Sequence, residues 1–492
     1  MSGIQDIGAY DGSDPDFLTK KAIQERIILP LVCVFGVLLS ICSNWIFPGL
    51  GLAICILTSA TVILLSVSRS IELVIFAFLF QNVMVAIIGG SIDSFDGAPV
   101  AKATNFLLCM TIWMMCLALY VRYPADDDDD TAPIMKATIV VLGVVGVYFV
   151  YGFARNGAGA IVYLRNLIIP LVCLQIALTA SRYSRGQAHY PSWIAYAFLA
   201  YCYVEITFGV DFLQLINAHS YLQSGDAVLV DPTAGPEDQF SVQLFNTGLL
   251  GDLGSIIRLR GPNLHPISVA YAITTFALLC FVQKRYLQML LFVPLMVFAG
   301  SKGAMVYFLF GLSAVWAAQR FNPRIVLWTM LAAAAIYAVL LFHVGRNADD
   351  FHVIGLIGSL KGFMSNPLGY GIGAGGNLNN NFGAEEWQAF QHQGFTDTAV
   401  ESGVGVILYQ MGLAGAGVLA FYLWVASRFW KRFLRTMDPT QSFATFAIVF
   451  IITNSIFQEE ALFAPLSLGL VLLLVAAGTY APKGSEPRTV TQ

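Results

Sequence analysis

Apolar residues recur along this chain in long runs that short polar segments interrupt. A run of about twenty apolar residues can cross the hydrocarbon core of a bilayer as an α-helix. On this criterion the pattern predicts about fourteen spanning helices, in segments 27–47, 51–68, 72–90, 103–121, 134–153, 158–180, 193–210, 265–282, 286–300, 303–319, 324–343, 402–426, 443–458 and 461–479. We therefore expect an all-α polytopic membrane protein.

Composition agrees with a membrane location, because 57% of the residues are hydrophobic and only 11% are charged. Soluble domains carry about a quarter charged residues. All eight cysteines fall within apolar runs without metal-ligand spacing, so we interpret them as small buried hydrophobes. Segment 1–26 is polar and acidic, unlike a cleavable signal peptide. No phosphate-binding loop or basic block favours an ATP-driven pump or a nucleic-acid partner.

The distribution of basic residues predicts the orientation. With the N-terminus inside, 18 of the 26 Lys and Arg residues lie on the cytoplasmic side, as the positive-inside rule requires. We expect both termini inside and two large outer (periplasmic) loops. The chain then divides into a cytoplasmic tail (1–26), N-terminal helices (27–210), a first outer loop (211–264), central helices (265–343), a second outer loop (344–401), C-terminal helices (402–479) and a second cytoplasmic tail (480–492).

The second outer loop interrupts the hydrophobic pattern most conspicuously. Loops longer than about a dozen residues are usually functional or disordered. Its glycine-rich run, Gly369–Gly376, allows positive φ and close backbone approach, so we place Gly371 and Gly373 among the substrate-binding residues. We expect this loop to form half of an active site at the outer membrane face. By contrast, the run Asp126–Asp130 lies in a predicted cytoplasmic loop, where like charges are typical of a solvated segment.

Eight basic residues depart from the charge bias and fall on the predicted outer side: Lys102, Arg155, Arg165, Arg258, Arg260, Lys302, Arg346 and Lys361. Several cations on one surface suit an anionic head group such as a lipid-linked pyrophosphate. Each alone also fits a solvated loop charge. Arg165 lies near the outer end of an apolar segment, so snorkelling to the interface competes with a role in a site.

Four stretches occur in order in the C-terminal half: RLRGPNLHPISVAY (258–271), FAGSKGAMVYFL (298–309), HVIGLIGSLKGFMSNPLGYGIGAGGN (352–377) and ESGVGVILYQMGLAG (401–415). Together they resemble the O-antigen ligase and polymerase superfamily of bacterial inner-membrane glycosyltransferases. Lys302 stands where that family usually shows Arg. Glu401, eleven residues before Gly412, stands where the ligase branch typically has His. An acid at this place is similar to the Wzy-type polymerase branch.

The resemblance implies a GT-C-like glycosyltransferase that needs no metal or other cofactor. Its substrates would be an undecaprenyl-pyrophosphate-linked oligosaccharide and an acceptor glycan, at the periplasmic side of the bacterial inner membrane. A chain-length regulator would be a further partner. Fixed cations suit the departing pyrophosphate, and the candidates are Arg258, Arg260, Arg346, Arg165 and Lys302.

Deprotonating the acceptor hydroxyl requires a carboxylate or a histidine. We expect Glu401 to be the base or the group that orients the acceptor, with Asp397 one helical turn earlier on the same face. The competing interpretation of Glu401 is a carboxylate that complements a helix N-terminus. His352 is a further catalytic candidate and His265 a substrate-binding one, although either also fits a simple loop hydrogen bond.

Three other functions stay open. A ligase would transfer the finished polymer to a lipid A-core acceptor. A polysaccharide or lipid transporter would carry ionisable residues at mid-membrane and broken helices in matching halves, and Glu205 is the chief mid-segment acid. A non-enzymatic assembly protein is the third. The adjacent acids Asp349-Asp350 and Glu385-Glu386 lack Asp-x-Asp spacing, so we predict no metal site.

Overall fold

The computed structural model describes residues 24–92, 94–123, 131–183, 191–224, 240–243, 255–378 and 384–477. These residues are almost entirely helical. Their helices, numbered in chain order, are α1 (Leu29–Ile46), α2 (Pro48–Leu65), α3 (Ser70–Ser91), α4 (Ala98–Ala101), α5 (Thr104–Arg122), α6 (Ala132–Asn156), α7 (Ala158–Tyr183), α8 (Ser192–Leu215), α9 (Ala218–Gln223), α10 (Pro266–Val282), α11 (Tyr286–Ala299), α12 (Lys302–Arg320), α13 (Pro323–Asn347), α14 (Phe351–Ser365), α15 (Ala384–Gln393), α16 (Gly403–Thr436), α17 (Pro439–Asn454), α18 (Glu459–Phe463) and α19 (Leu470–Ala476). Short helical turns at Gln24–Ile28, Val67–Arg69 and Pro465–Gly469 precede α1, α3 and α19.

Each apolar segment predicted from the sequence coincides with a helix, although the last is divided between α18 and α19. In the described part of the chain, nine helices are long and apolar enough to cross a membrane. Their outward side chains suit lipid rather than water, since Leu64 in α2 is 78% exposed and Trp328 in α13 is 71% exposed. The chain is therefore a polytopic, membrane-embedded helical protein.

The centre of the bundle consists of helices that are apolar on every side. Every residue of α3 from Ser70 to Phe80 is buried, and so is nearly all of α10 and α17. A helix that is hydrophobic all round is one surrounded by protein. These central helices give the polar segments between them a rigid frame.

Both predicted outer loops contain structure that the apolar pattern does not predict. In the first loop, α9 is followed by two antiparallel strands, β1 (Ser241–Gln243) and β2 (Ser255–Ile257), in which Val242 pairs with Ile256. Strand β2 ends directly before Arg258. The second loop contains α14 and α15. Helix α14 is apolar but has only 15 residues, too few to reach the length expected of a spanning helix.

Helix α16 is broken at Gly412, whose φ is +56°. The segment 367–371 fills the break. The backbone N–H of Gly371 donates to the carbonyl of Gln410 at 2.9 Å, and the N–H of Leu413 donates to the carbonyl of Pro367 at 2.9 Å. Backbone groups freed inside a membrane helix must find partners in the protein. The break therefore fixes the glycine-rich run against α16.

Candidate active site

Glu401 lies in a strained backbone conformation just before α16. Its φ is +62°, which costs a non-glycine residue of order 1–3 kcal/mol unless its surroundings hold it there. Its N–H donates to Oδ1 of Asn377 at 2.8 Å. Helix α16 begins at Gly403 and is capped by the Ser402 hydroxyl, which accepts from the N–H of Gly405 at 2.9 Å. The cap is thus supplied by Ser402 and not by Glu401.

The predicted helix through Asp397 and Glu401 is wrong. Residues 395–402 are irregular, because the backbone at Glu401 follows its contact with Asn377 instead of continuing α16. Asp397 therefore does not lie one helical turn from Glu401. Its Oδ1 instead accepts from Nε2 of Gln393 at 3.3 Å.

The carboxylate of Glu401 pairs with His352 at the start of α14. Nδ1 of His352 lies 3.0 Å from Oε2 of Glu401. Burial lowers the pKa of His352, but the contact with Glu401 and the charges of Glu401, Asp350 and Glu460 outweigh it, so the pKa rises to about 8. Asp350 also accepts from the N–H of His352 at 2.9 Å and so fixes the start of the helix. A histidine beside a carboxylate is a candidate proton acceptor.

Two acids that the sequence analysis did not select, Glu459 and Glu460, complete the surroundings of this pair. Glu459 is buried; its Oε1 accepts from the hydroxyl of Tyr163 at 2.5 Å and its Oε2 from the N–H of Asn377 at 3.0 Å. Burial, together with the charges of Glu460 and Glu401, raises the pKa of Glu459 to about 8, although these two hydrogen bonds lower it.

Glu460 interacts electrostatically with the Glu401–His352 pair and with Arg258. Burial raises its pKa, as does the charge of Glu401, whereas His352 and Arg258 lower it. The sequence could have identified both acids, because Gln458-Glu459-Glu460 interrupts an otherwise apolar stretch. Carboxyl groups between apolar segments need polar or charged partners. We refer to Arg258, His352, Glu401, Glu459 and Glu460 as the polar cluster.

Arg258 and Arg260 differ in their surroundings. Nε of Arg258 donates to the carbonyl of Ala299 at 3.1 Å, and burial lowers its pKa against the charge of Glu460. The guanidinium of Arg260 instead lies 5.0 Å from the centre of the Phe240 ring. The N–H of Arg260 donates to Oε1 of Glu205 at 2.6 Å, so the chief mid-segment acid has a backbone partner. Arg258, which interacts electrostatically with Glu460, belongs to the polar cluster.

A cavity of about 320 Å³ adjoins the polar cluster, and we call it the polar cavity. Arg165, His265, Glu459 and Glu460 all line it. Nδ1 of His265 lies 3.0 Å from the hydroxyl of Ser268. The structure therefore places Arg165 and His265 together, beside the two missed acids.

The remaining predicted site residues lie elsewhere. Lys302 is exposed at the first position of α12. Arg346 lines a separate cavity of about 370 Å³ with Lys361. Gly371 and Gly373 are buried against the turn between α6 and α7, where a Cβ would lie 2.8 Å from Cα of Gly152 and 2.5 Å from the nitrogen of Ala160, respectively. Both glycines thus permit close packing of the loop on the bundle.

The polar cluster combines a cation, a carboxylate–histidine pair and two further carboxyls at the end of apolar helices. Such a set can hold an anionic group and accept a proton from a hydroxyl. Within the described ranges, no group of three or more His, Cys, Asp or Glu side chains is arranged to hold a metal ion. Comparison of the chain with protein-family models and with curated proteins finds no match.

Proposed function

We propose that this protein is a polymerase that joins undecaprenyl-pyrophosphate-linked oligosaccharide repeats at the periplasmic face of a bacterial inner membrane. In this proposal all fourteen apolar segments span or enter the bilayer in a GT-C-like arrangement. The observation that carries it is the pairing of Glu401 with His352 at 3.0 Å. Glu460 interacts electrostatically with this pair and with Arg258.

The four stretches that resemble the polysaccharide polymerases and ligases meet around this pair, which supports the proposal. Arg258 in the first stretch donates to Ala299 in the second. Glu401 in the fourth stretch donates to Asn377 in the third. The segment containing Glu459 and Glu460 links the first stretch to the third. Glu459 accepts a hydrogen bond from Asn377, and Glu460 interacts electrostatically with Arg258.

The proposed reaction assigns one task to each group. The acceptor hydroxyl oxygen bonds to the anomeric carbon of the donor sugar, and the C–O bond to the pyrophosphate breaks. The electron pair leaves with the pyrophosphate, whose charge Arg258 complements. The hydroxyl proton passes to Nε2 of His352, while the charge of Glu401, beside Nδ1, stabilises the imidazolium that forms. A pKa near 8 suits a base that works close to neutral pH.

The test is polymer formation by purified protein in nanodiscs, with lipid-linked repeat units extracted from the native host and no added metal or nucleotide. We expect a ladder of products from the wild type and from the control Arg320→Gln, an exposed charge at the far end of α12. Glu401→Gln and Arg258→Ala should abolish the ladder.

The other outcomes separate the competing functions. Repeats that stay single but move onto an added lipid A-core acceptor would identify a ligase. Labelled lipid that crosses the membrane without forming either product would identify a transporter. An intact ladder in Glu401→Gln would remove the assigned site, whatever the product.

A further inference from the structure

Part of the lining of the polar cavity lies outside both the polar cluster and the four resembling stretches. Much of it comes from the N-terminal half of the chain, through Asn82, Lys102, Asn105 and Arg165. Its volume of about 320 Å³ falls at the lower end of the range of small-molecule sites, roughly 300–1,000 Å³.

Amide side chains are the most numerous polar groups in this lining. Five asparagines and one tyrosine contribute to it: Asn82, Asn105, Asn166, Asn263, Asn377 and Tyr221. A carboxamide both donates and accepts hydrogen bonds, and so does every hydroxyl of a sugar. The lining also contains two basic residues, Lys102 and Arg165, and two acidic ones, Glu459 and Glu460. A lining in which carboxamides outnumber the charged side chains suits a hydroxyl-rich ligand such as a sugar.

Several of these groups are held in place by the bundle. Nδ2 of Asn82 donates to the carbonyl of Asn263 at 2.7 Å, and Nδ2 of Asn263 donates to the carbonyl of Phe78 at 3.2 Å. Nζ of Lys102 lies 4.3 Å from the centre of the Tyr221 ring. Side chains fixed in this way lose little freedom when a ligand binds.

The wall of the cavity includes residues that contact or lie near the proposed reaction centre. Asn377, in its wall, accepts from the N–H of Glu401 at 2.8 Å. Glu460, also in its wall, lies within electrostatic reach of His352 and Glu401. A ligand that contacts Asn377 in the cavity would therefore lie one residue away from Glu401.

We propose that the polar cavity is a saccharide-binding subsite, and that Asn82, Asn105 and Tyr221 select the sugar. This inference rests on the proposed function and extends it, because it places sugar selectivity in the N-terminal half, outside the four resembling stretches. The reacting groups then come from the C-terminal half and the selecting groups from the N-terminal half.

The test is binding to the purified full-length protein, which needs no turnover. The two probes are the lipid-linked repeat unit extracted from the native host and undecaprenyl pyrophosphate without sugar. Asn105→Leu keeps the approximate shape of the side chain but removes its amide. We expect it to weaken binding of the sugar-bearing lipid about tenfold, and to leave binding of the bare pyrophosphate lipid unchanged.

Two further variants separate a lost contact from a lost fold. Asn105→Gln retains the amide and should recover part of the affinity. Asn347→Leu, at an exposed site at the end of α13, should bind both probes like the wild type. Equal loss of both probes in Asn105→Leu would show that the cavity holds the diphosphate, and no change in either would show that it holds neither. Both results overturn the inference.

The binding assay and the polymer assay test the cavity assignment and the proposed function separately. A wild type that shows Asn105-dependent sugar binding but makes no polymer would refute the proposed function and leave the cavity assignment standing. A wild type that makes polymer while Asn105→Leu binds both probes normally would refute the cavity assignment alone.

Discussion

Replacing Glu401 by Gln should move the titration of His352 by more than one pH unit. The pKa of His352 is about 8 against an ordinary value of 6.5, and Glu401 is the largest contributor that raises it. Without that charge, burial competes only with Asp350 and Glu460. We therefore expect the pKa of His352 in the variant to fall to about 6.5 or below.

The stability effect of the same change is smaller and has a definite sign. A rise of the pKa from 6.5 to about 8 corresponds to about 2 kcal/mol, but the His352 side chain is 41% exposed, so we expect about 1 kcal/mol or less after solvent screening. Because the folded-state pKa is raised, this stabilisation is complete below pH 6.5 and is lost as the pH rises through 8.

The titration can be measured without any activity. Diethylpyrocarbonate acylates neutral imidazole, so the rate of modification of His352, followed by peptide mass spectrometry from pH 5.5 to 9.5, reports its pKa. His343, exposed on α13, serves as the control whose profile should be the same in both proteins. In the polymer assay, the rate should rise with pH through about 8 if neutral His352 is the base.

Two results would refute this reasoning. A wild-type His352 that titrates at 6.5 or below would show that the pair does not form. An unchanged profile in Glu401→Gln would show that Glu401 does not control it. A polymerisation rate that falls above pH 8 would instead make the imidazolium the active form and return the role of base to Glu401.

Further expectations concern the backbone and the buried acids. Gly412→Ala should lower the melting temperature strongly, because φ there is +56° and a Cβ would overlap the Pro367 carbonyl; Gly417→Ala in the same helix, with no atom near its Cβ position, should be neutral or slightly stabilising. Glu459→Gln should flatten the dependence of melting temperature on pH, because a folded-state pKa raised from 4.5 to about 8 makes the wild type lose stability as pH rises through that interval. A wild-type melting temperature independent of pH between 5 and 9 would contradict the assignment of Glu459.

The helices could be predicted because a spanning helix depends mainly on the composition of one continuous segment. Helix α14 escaped this criterion because its 15 residues are stabilised by packing, with Val353 and Leu356 buried near Phe457. No local pattern contains that information. The two strands beside Arg258 are too short to show alternation.

Of the polar cluster, the sequence predicts only those residues that have a suitable side chain and also lie in one of the four resembling stretches. Glu401, His352 and Arg258 were selected as acid–base and cationic groups, and the structure brings their surroundings together. The conformation at Glu401 depends on Asn377, 24 positions away, and the partner of Glu459 is Tyr163, 296 positions away. Neither contact follows from the spacing of apolar residues, so the pattern predicts a helix at Glu401 and does not identify Glu459.

The break in α16 has a consequence for how the protein is made. Open carbonyls at Tyr409 and Gln410 would cost several kcal/mol each if they faced lipid alone, yet here they accept from Tyr370 and Gly371. The donor segment precedes α16 in the chain and is therefore synthesised first. The helix can leave the insertion machinery with its partner already present, so the loop and the helix are expected to assemble as one unit. A change in the glycine-rich run would then appear as a defect in membrane insertion before it appeared as a defect in chemistry.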